Sequence, residues 1–474
     1  MSDTSDPVKQ AIAYAREHQE DFVRSLHEIL RIPSVSTLSL HAEDVERAGD
    51  WTENHLRHIG LQEVKRLPTP GFSVVFGEWM EAGPRAATLL LYGHYDVQPT
   101  DPLDQWTSDP FEPTTRGDDI FARGVSDDKG QFLAMLSGIE SYLKSTGSLP
   151  INIKVLIEGE EEISSPHLAA LLIEHRDLLA CDAVVIADQP MFSNTEPTIC
   201  YAVRGSCYLQ IDVQGPSVDF HSGTAGGAIE NPFNALVRML ARFQSADQRI
   251  QVPGFYDEVE LPDDDERRLL ARSPVTDDLV KHFTGVRAVA GEPGFSSAER
   301  LSIRPTFEIH GMPGGFTGEG KKSLIPSIAS AKISFRLVPR QDPVKIAALV
   351  EAFVKEIAPE TVRVTCRQSG HSYPALVDRS HPAVQAADRA YQAAFGHPAV
   401  YFRAGGSLPI VHDITMTLGA AVTMIGFGLP DDRPHGPDEK LHLPNFHRGI
   451  EMAIHYFHEV SLISAHRDAR PARV

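Results

Sequence analysis

Potential metal ligands follow four apolar, strand-like runs of the chain. The runs LLLYGHYD, KVLIEGEEE, AVVIAD and VTMIGFGLPDDRPH end at or contain His94, Glu161 with Glu162, Asp188 and His435. A fifth site, which is acidic, is Asp127 in RGVSDDKG; it precedes a segment with helical apolar spacing. In an open α/β sheet the carboxyl ends of the strands meet at one edge, so ligands far apart in the chain can converge there. The pattern therefore predicts a metal site.

The acidic character of these motifs indicates cations rather than an uncharged pocket. Carboxylates gathered in a buried site repel one another and lose hydration unless cations neutralise them, and two divalent metals would do so. Asp96 stands two residues after His94, on the same side of an extended chain, where it could fix the tautomer of a ligating imidazole. Within EGEEE, one glutamate could bind metal while its neighbour acts as a general base, and spacing does not decide between them.

Each motif also has a plain structural interpretation. An isolated His-x-Asp is usually a surface or packing feature, an aspartate before a helix is usually an N-cap, and a run of glutamates is usually a solvated turn. On the last helix, His447, Glu451 and His455 share one face, but they lack the HExxH pattern. We interpret that stripe as the polar face of an amphipathic helix.

Composition narrows the class of protein. The 474 residues suggest several domains, and the 42% apolar share permits a sizeable core. The formal charge of −20 disfavours nucleic acid as a partner. Four scattered cysteines (Cys181, Cys200, Cys207 and Cys366) indicate a reducing compartment. The start MSDTSDPVKQ lacks the pattern of a secretion signal, and no apolar run reaches the length of a membrane span, so we expect a cytoplasmic protein without membrane contact.

The order of apolar runs predicts an α/β fold. A helical pattern over Pro7 to Arg31 is followed by strand-like runs at 73–76, 87–92, 151–157 and 183–187, which alternate with helical segments such as 130–144. This alternation is typical of a mixed, mostly parallel sheet flanked by helices. Beyond residue 203, half-buried alternating strands predict a second, α+β domain. We expect catalytic-domain parts at 1–202 and 374–474, and an inserted domain at 203–373.

Together the motifs closely resemble the dinuclear metallopeptidase family of carnosinase, cytosolic nonspecific dipeptidase, aminoacylase and carboxypeptidase G. GHYDVQP, RGVSDDKG, EGEEE, DFHSG, HGMPGGFTG, RAGGSLP and HGPDEKLHLPNF occur in family order, and the long insertion is most similar to the dipeptidase branch. The resemblance implies a zinc-exopeptidase-like catalytic domain, with the insertion acting as a lid and dimerisation domain.

The resemblance also implies a role for each motif. One metal would be held by His94 and Asp188, another by Glu162 and His435, and Asp127 would bridge both. Glu161 would be the base, Asp96 would orient His94, and His221 would polarise the scissile carbonyl, with the option of acting across a homodimer. The peptide bond between Asp127 and Asp128 would be cis. The substrate carboxylate would be gripped by Ser323, Arg336 and the turn of Gly405, Gly406 and Ser407.

These roles describe a hydrolase for dipeptides or other small peptides with a free C-terminal carboxylate. A water between two cations, most simply Zn²⁺ with Mn²⁺ or Co²⁺ as alternatives, would attack the amide with Glu161 as base. An N-acyl-amino-acid deacylase of acetylornithine or succinyl-diaminopimelate type is the enzymatic alternative. A non-catalytic metal-binding or peptide-binding protein is the other. Ser164, where relatives often carry glycine, and DQPMF after Asp188 depart from the family pattern and bear on substrate choice.

Overall fold

A computed structural model describes residues 6–463 of the chain. The first five residues, which belong to the start MSDTSDPVKQ, lie outside this range. The helices are α1 Pro7–Glu17, α2 Gln19–Leu30, α3 Ala42–Ile59, α4 Lys129–Thr146, α5 Leu168–Glu174, α6 Ser222–Ala225, α7 Pro232–Leu240, α8 Asp264–Leu270, α9 Asp277–Thr284, α10 Ser297–Ser302, α11 Pro343–Ile357, α12 Pro382–Phe395, α13 Pro409–Leu418 and α14 Leu443–Ser461. The strands are β1 Gln62–Leu67, β2 Val74–Trp79, β3 Thr88–His94, β4 Thr114–Arg116, β5 Asp119–Phe121, β6 Asn152–Glu158, β7 Ala183–Ala187, β8 Thr198–Val203, β9 Gly205–Gln214, β10 Phe220–His221, β11 Thr306–Gly311, β12 Leu324–Ile325, β13 Ile328–Leu337, β14 Arg363–Ser372, β15 Ala375–Leu376, β16 Val400–Arg403, β17 Ala421–Ile425 and β18 Lys440–His442.

The chain forms two compact units. Among residues 6–463, the first contains residues 6–201, 377–402 and 413–463, and the second contains residues 202–376 and 403–412. The predicted insertion, residues 203–373, lies within the second unit. That unit also contains the turn of Gly405–Ser407, which the sequence-based boundaries placed with residues 374–474.

The first unit is built on a mixed sheet in which the central strands are parallel. The strand order is β1-β2-β6-β3-β7-β17-β8, and the central strands β6, β3, β7 and β17 are parallel to one another. These four strands are almost entirely buried, which explains why each reads as a continuous apolar run rather than an alternating one. The predicted mostly parallel α/β sheet is confirmed.

Helices cover this sheet, and at the N-terminus the structure has two helices where the sequence predicted one. Helix α4 contacts β3 and β7, and α3 contacts β2. The pattern from Pro7 to Arg31 predicted one helix, but the structure has two, α1 and α2, separated at His18. There the backbone leaves the helical region at φ −109° and ψ 24°, and His18 Nδ1 lies 2.9 Å from the carbonyl oxygen of Tyr14. An imidazole that contacts the last turn ends α1, a local effect that apolar spacing does not reveal.

The second unit is an α+β layer pair. Strands β11, β13, β9 and β14 form an antiparallel sheet in that order. Helices α7 and α11 contact this sheet, and the core between them includes Ile211, Leu236, Phe243, Phe335 and Val350. Every second residue along much of β9 is buried, as the alternating pattern predicted.

None of the helices described between residues 6 and 463 has the length and apolar character needed to cross a bilayer.

Candidate metal centre

His94 ends a strand that is buried along its whole length. All seven residues of β3 are buried, and His94 itself is inaccessible to solvent. The preceding residue must be small, because a Cβ at Gly93 would lie 2.8 Å from both Asp128 Oδ2 and Phe132 Cβ. Glycine therefore lets the start of α4 pack against the strand end and brings the RGVSDDKG motif up to His94.

Asp127 lies between two imidazoles. Its Oδ1 is 3.2 Å from His94 Nε2, and its Oδ2 is 2.8 Å from His435 Nε2. The peptide bond to Asp128 is cis, as the resemblance implied. One carboxylate thus presents an oxygen to each side, which is the arrangement needed to bridge two cations.

Five side chains form two groups that share Asp127. His94, Asp127 and Asp188 offer ligand atoms within 4.8 Å of one another, and so do Asp127, Glu162 and His435. Asp188 directly follows β7, Glu162 lies in a short 3-10 turn after β6, and His435 lies in the loop between β17 and β18. The structure therefore brings together the five residues predicted as metal ligands.

The donor set fits divalent cations. Within residues 6–463, the buried atoms His94 Nε2 and Glu162 Oε1 have no partner in hydrogen-bond geometry, although Asp127 Oδ1 lies 3.2 Å from His94 Nε2. Buried polar atoms are rarely left unpaired, and both are atoms that bind metal. Mixed imidazole and carboxylate ligands suit zinc, manganese and cobalt alike.

Burial makes the carboxylates costly to keep charged. Burial, followed by the nearby Asp127 charge, raises the pKa of Asp188 well above its usual range, and the same causes raise the pKa of Glu162. The imidazole is affected differently, because the hydrogen bonds that His435 donates to the Asp127 and Glu162 carboxylates favour its charged form and raise its pKa to about 10. Excess negative charge in this site therefore has to be met by protons or by cations.

Asp96 connects His94 to the glutamate turn. His94 Nδ1 lies 3.1 Å from the backbone carbonyl oxygen of Asp96 and 3.4 Å from its Oδ1. The Asp96 carboxylate accepts hydrogen bonds from the backbone N–H groups of Glu161 and Glu162, at 3.2 and 3.1 Å, and from the Ser36 hydroxyl at 2.7 Å. Asp96 is thus placed to orient both the imidazole and the turn.

Glu161 differs from its neighbours in having no protein hydrogen bond to its carboxylate among the described residues. Burial raises the pKa of Glu161 to about 8, against the lowering effect of His94. A carboxylate with such a pKa beside a ligand cluster has the properties of a general base. Glu160, by contrast, is paired with His167 at 2.8 Å.

Sequence analysis missed one residue that shapes this centre, Glu439. Its buried carboxylate accepts hydrogen bonds from the backbone N–H groups of Gly124, Ser126 and Asp127, at 2.9, 2.9 and 3.1 Å, and from Arg123 Nη1 at 2.6 Å. Glu439 therefore fixes the loop that carries Asp127. It belongs to the HGPDEKLHLPNF motif, but its partners are more than 300 positions away, so spacing gave no signal.

The other predicted site residues lie in the second unit. His221 and Ser323 are both exposed, and they are neighbours because His221 on β10 pairs with Leu324 on β12. Arg336 Nη1 donates to Ser407 Oγ at 2.8 Å, which joins β13 to the glycine turn. Their roles toward a substrate stay predictions.

His447, Glu451 and His455, which share one face of the last helix, are not part of the metal centre. Glu451 accepts two hydrogen bonds from Arg16, at 2.8 and 2.9 Å. Burial lowers the pKa of His447 and of His455, so both favour the neutral form.

Comparison with known proteins identifies the family. The family model described as peptidase family M20/M25/M40 matches residues 90–459. The chain belongs to this family. It is therefore an enzyme of the peptidase class, and the metallopeptidases among its relatives indicate that it uses divalent metal.

Several relatives match over nearly the whole chain. A Cys-Gly metallodipeptidase from Schizosaccharomyces pombe is 30% identical and covers 94% of this chain and 97% of its own. The human Beta-Ala-His dipeptidase is 28% identical, with coverage of 96% and 93%.

Two solved structures share the fold at similar identity. The dipeptidase Dug1p from Saccharomyces cerevisiae has a TM-score of 0.81 and 26% identity, with 97% of this chain and 99% of that chain covered. A metallo-carboxypeptidase from Sulfolobus solfataricus has a TM-score of 0.84 and 27% identity, with coverage of 93% and 99%. The family and fold inferred from the motifs are both confirmed.

Proposed function

We propose that this protein is a dipeptidase, a metal-dependent hydrolase that cleaves the amide bond of dipeptides and other small peptides with a free C-terminal carboxylate. One observation carries the proposal. Asp127 presents its two oxygens to His94 and His435, at 3.2 and 2.8 Å, with further carboxylates on each side. That arrangement suits a pair of cations around a bridging ligand.

The proposed ligands divide into two sets. His94 and Asp188 would hold one cation, Glu162 and His435 the other, and Asp127 both. Such cations, when bound, lower the pKa of water and polarise a carbonyl. We propose Zn²⁺ in both positions, and the same donors accept Mn²⁺ or Co²⁺.

The chain's own groups would move the protons and place the substrate. Glu161 would take a proton from the attacking water and return it to the leaving amine, a role supported by its burial and raised pKa. His221 would donate a hydrogen bond to the carbonyl oxygen as negative charge develops there. Ser323, Arg336 and the turn of Gly405–Ser407 would hold the substrate carboxylate.

The relatives favour a dipeptidase over a deacylase. Those with high coverage are named for Cys-Gly and Beta-Ala-His dipeptides. Their different substrates do not fix the side-chain preference of this chain. The non-catalytic alternative is disfavoured by the retained base, since a binding protein has no need of Glu161 beside its ligands.

We also propose a cytoplasmic homodimer that associates through the second unit. Strand β11 is an edge strand of the four-stranded sheet, and its Ile309 is exposed. Exposed edges of this kind can pair with another chain. Cys207 and Cys366 are free thiols, in keeping with a reducing compartment. Sedimentation of the purified protein tests the dimer, and a single monomeric species would exclude it.

The direct test is a substrate panel with metal-loaded protein. Unblocked dipeptides are compared with N-acetyl amino acids and with the same dipeptides carrying a C-terminal amide. We expect hydrolysis of unblocked dipeptides to be fastest. Faster hydrolysis of N-acetyl amino acids would favour the deacylase, and metal binding without hydrolysis of any substrate would favour the binding protein.

A further inference from the structure

Two arginines of the second unit have no acidic partner. Neither Arg204 nor Arg336 forms an ion pair with any residue of the described range 6–463. Nearby arginines behave differently, because Arg304 is paired with Glu292 through two hydrogen bonds of 2.5 and 2.9 Å. Arg204 and Arg336 thus differ from Arg304 in forming no ion pair with a described residue.

Arg204 is buried and uses its donors on backbone carbonyl groups. It lies between β8 and β9 and is only 7% exposed. Nε donates to the carbonyl oxygen of Gly405 at 2.7 Å, and Nη1 donates to that of Arg304 at 3.3 Å. Its backbone N–H donates to the carbonyl oxygen of Gly406 at 2.9 Å. Main chain and side chain of one residue thus hold the same glycine turn.

The turn packs directly on the guanidinium. A Cβ at Gly405 would lie 3.2 Å from Arg204 Nη2 and 2.7 Å from the carbonyl oxygen of Leu301, so no larger residue fits without a shift. Two residues later, Ser407 Oγ accepts the hydrogen bond from Arg336 Nη1 at 2.8 Å. Arg204 thereby acts on Arg336 through the turn.

The charge of Arg204 has no ion-pair partner among the described residues, and the Glu308 carboxylate offsets it only in part. Burial, followed by the positive charge of Arg336, lowers the pKa of Arg204 to about 10. A guanidinium remains charged there at neutral pH, and buried charge without a counter-charge is unfavourable. An anion bound at Arg336 and Ser407 would relieve that cost.

We propose that Arg204 is a positioning residue for the substrate's C-terminal carboxylate: it holds the Gly405–Ser407 turn, and so the Arg336–Ser407 pair, and adds a second positive charge behind them. This inference rests on the proposed function, because it assigns the carboxylate subsite of the same enzyme. It makes Arg204 a determinant of the preference for peptides with a free C-terminus.

The test compares binding of a carboxylate ligand and its neutral counterpart. Calorimetry on metal-loaded Glu161→Gln protein measures an unblocked dipeptide and the same dipeptide with a C-terminal amide. Arg204→Lys keeps the charge but cannot reach both carbonyl groups. We expect it to weaken the unblocked dipeptide about tenfold and the amide less than about twofold. Arg204→Lys is also made in protein that keeps the wild-type Glu161 and is therefore active. There it should raise KM for the unblocked dipeptide with little change in kcat.

Two further variants keep the test decisive. Arg367→Lys alters an exposed arginine of β14 that is paired with Asp212, and it should change neither affinity. Gly405→Ala shifts the turn while Arg204 itself stays in the sequence, and it should reproduce the selective loss even if Arg204→Lys does not fold. Equal weakening of both ligands, or no weakening by either variant, overturns the inference. Failure of the wild-type protein to hydrolyse any unblocked dipeptide would instead overturn the proposed function.

Discussion

Glu439 provides a sharp test of how the metal centre is held, through the variant Glu439→Gln. One Glu439 oxygen accepts from the N–H groups of Ser126 and Asp127, and the other accepts from Gly124 and Arg123. An amide has one acceptor, so its NH₂ group must face a pair of donors whichever way it is turned. The change also leaves the Arg123 charge, which is 1% exposed, without its partner.

The expected loss follows from these contacts. Breaking one side of a buried ion pair typically costs about 3–5 kcal/mol, and we expect a fall of that size in the free energy of unfolding. The loop that carries Asp127 would also be released, and loss of a residue that supports a ligand typically weakens metal binding about 10–100-fold. Urea unfolding of metal-free protein measures the first effect, and competition with a chelator measures the second.

Two further variants separate the loss of stability, which comes from the unpaired Arg123 charge, from the loss of metal affinity, which comes from the released loop. Asp438→Asn changes the adjacent residue, which accepts from Thr107 and lies 3.6 Å from Arg116, and it should cost less than about 1 kcal/mol. Adding Arg123→Met to Glu439→Gln removes the unpaired charge, so stability should partly recover while metal affinity stays low. A Glu439→Gln variant that unfolds at the wild-type urea concentration and binds metal with wild-type affinity would show that Glu439 does not support the centre.

Three further predictions address other parts of the first unit. Glu161→Gln should keep metal content but lower kcat by several orders of magnitude, and a variant with near-wild-type turnover would exclude Glu161 as the base. Burial lowers the pKa of His55 to about 3. Below pH 6.5, His55 is therefore protonated in the unfolded chain but remains neutral in the folded chain. Stability should therefore fall as pH drops from 6.5, by about 2 kcal/mol at pH 5, and urea unfolding of His55→Gln should show a shallower decline. Ser164 has φ 71°, a conformation that glycine adopts freely, so Ser164→Gly should raise the free energy of unfolding by up to about 1 kcal/mol; a marked decrease on urea unfolding would contradict this.

The sequence predicted the parts of the structure that follow from local pattern. Strands β3, β6 and β7 are buried on both faces, so their apolar runs were visible, and the ligands lie at the strand ends or within four residues of them. His435 lies ten positions beyond the end of β17, and only its motif pointed to it. The prediction of the metal ligands thus depended on the strand pattern together with the family resemblance.

What the sequence did not predict depends on contacts between distant segments. The Glu439 contacts join positions 312 to 316 apart, and nothing in either motif marks the other as its partner. The break at His18 depends on one imidazole contacting the preceding turn. The Arg204 contacts with the Gly405 turn span 201 positions. Each of these features is a side-chain hydrogen bond in the folded state, which periodicity does not encode.

We propose that carboxylates and imidazoles from five separate segments hold two cations that support dipeptide hydrolysis. The most direct measurement is a titration of metal-free protein with Zn²⁺ or Mn²⁺ that records bound metal per chain and the rate of dipeptide hydrolysis in the same samples. We predict that the rate reaches its maximum when two ions are bound, and that Asp127→Asn, which loses the shared ligand, neither binds two ions tightly nor gains activity. Full activity in metal-free protein, or saturation at two ions with no hydrolysis of any dipeptide, would contradict the account.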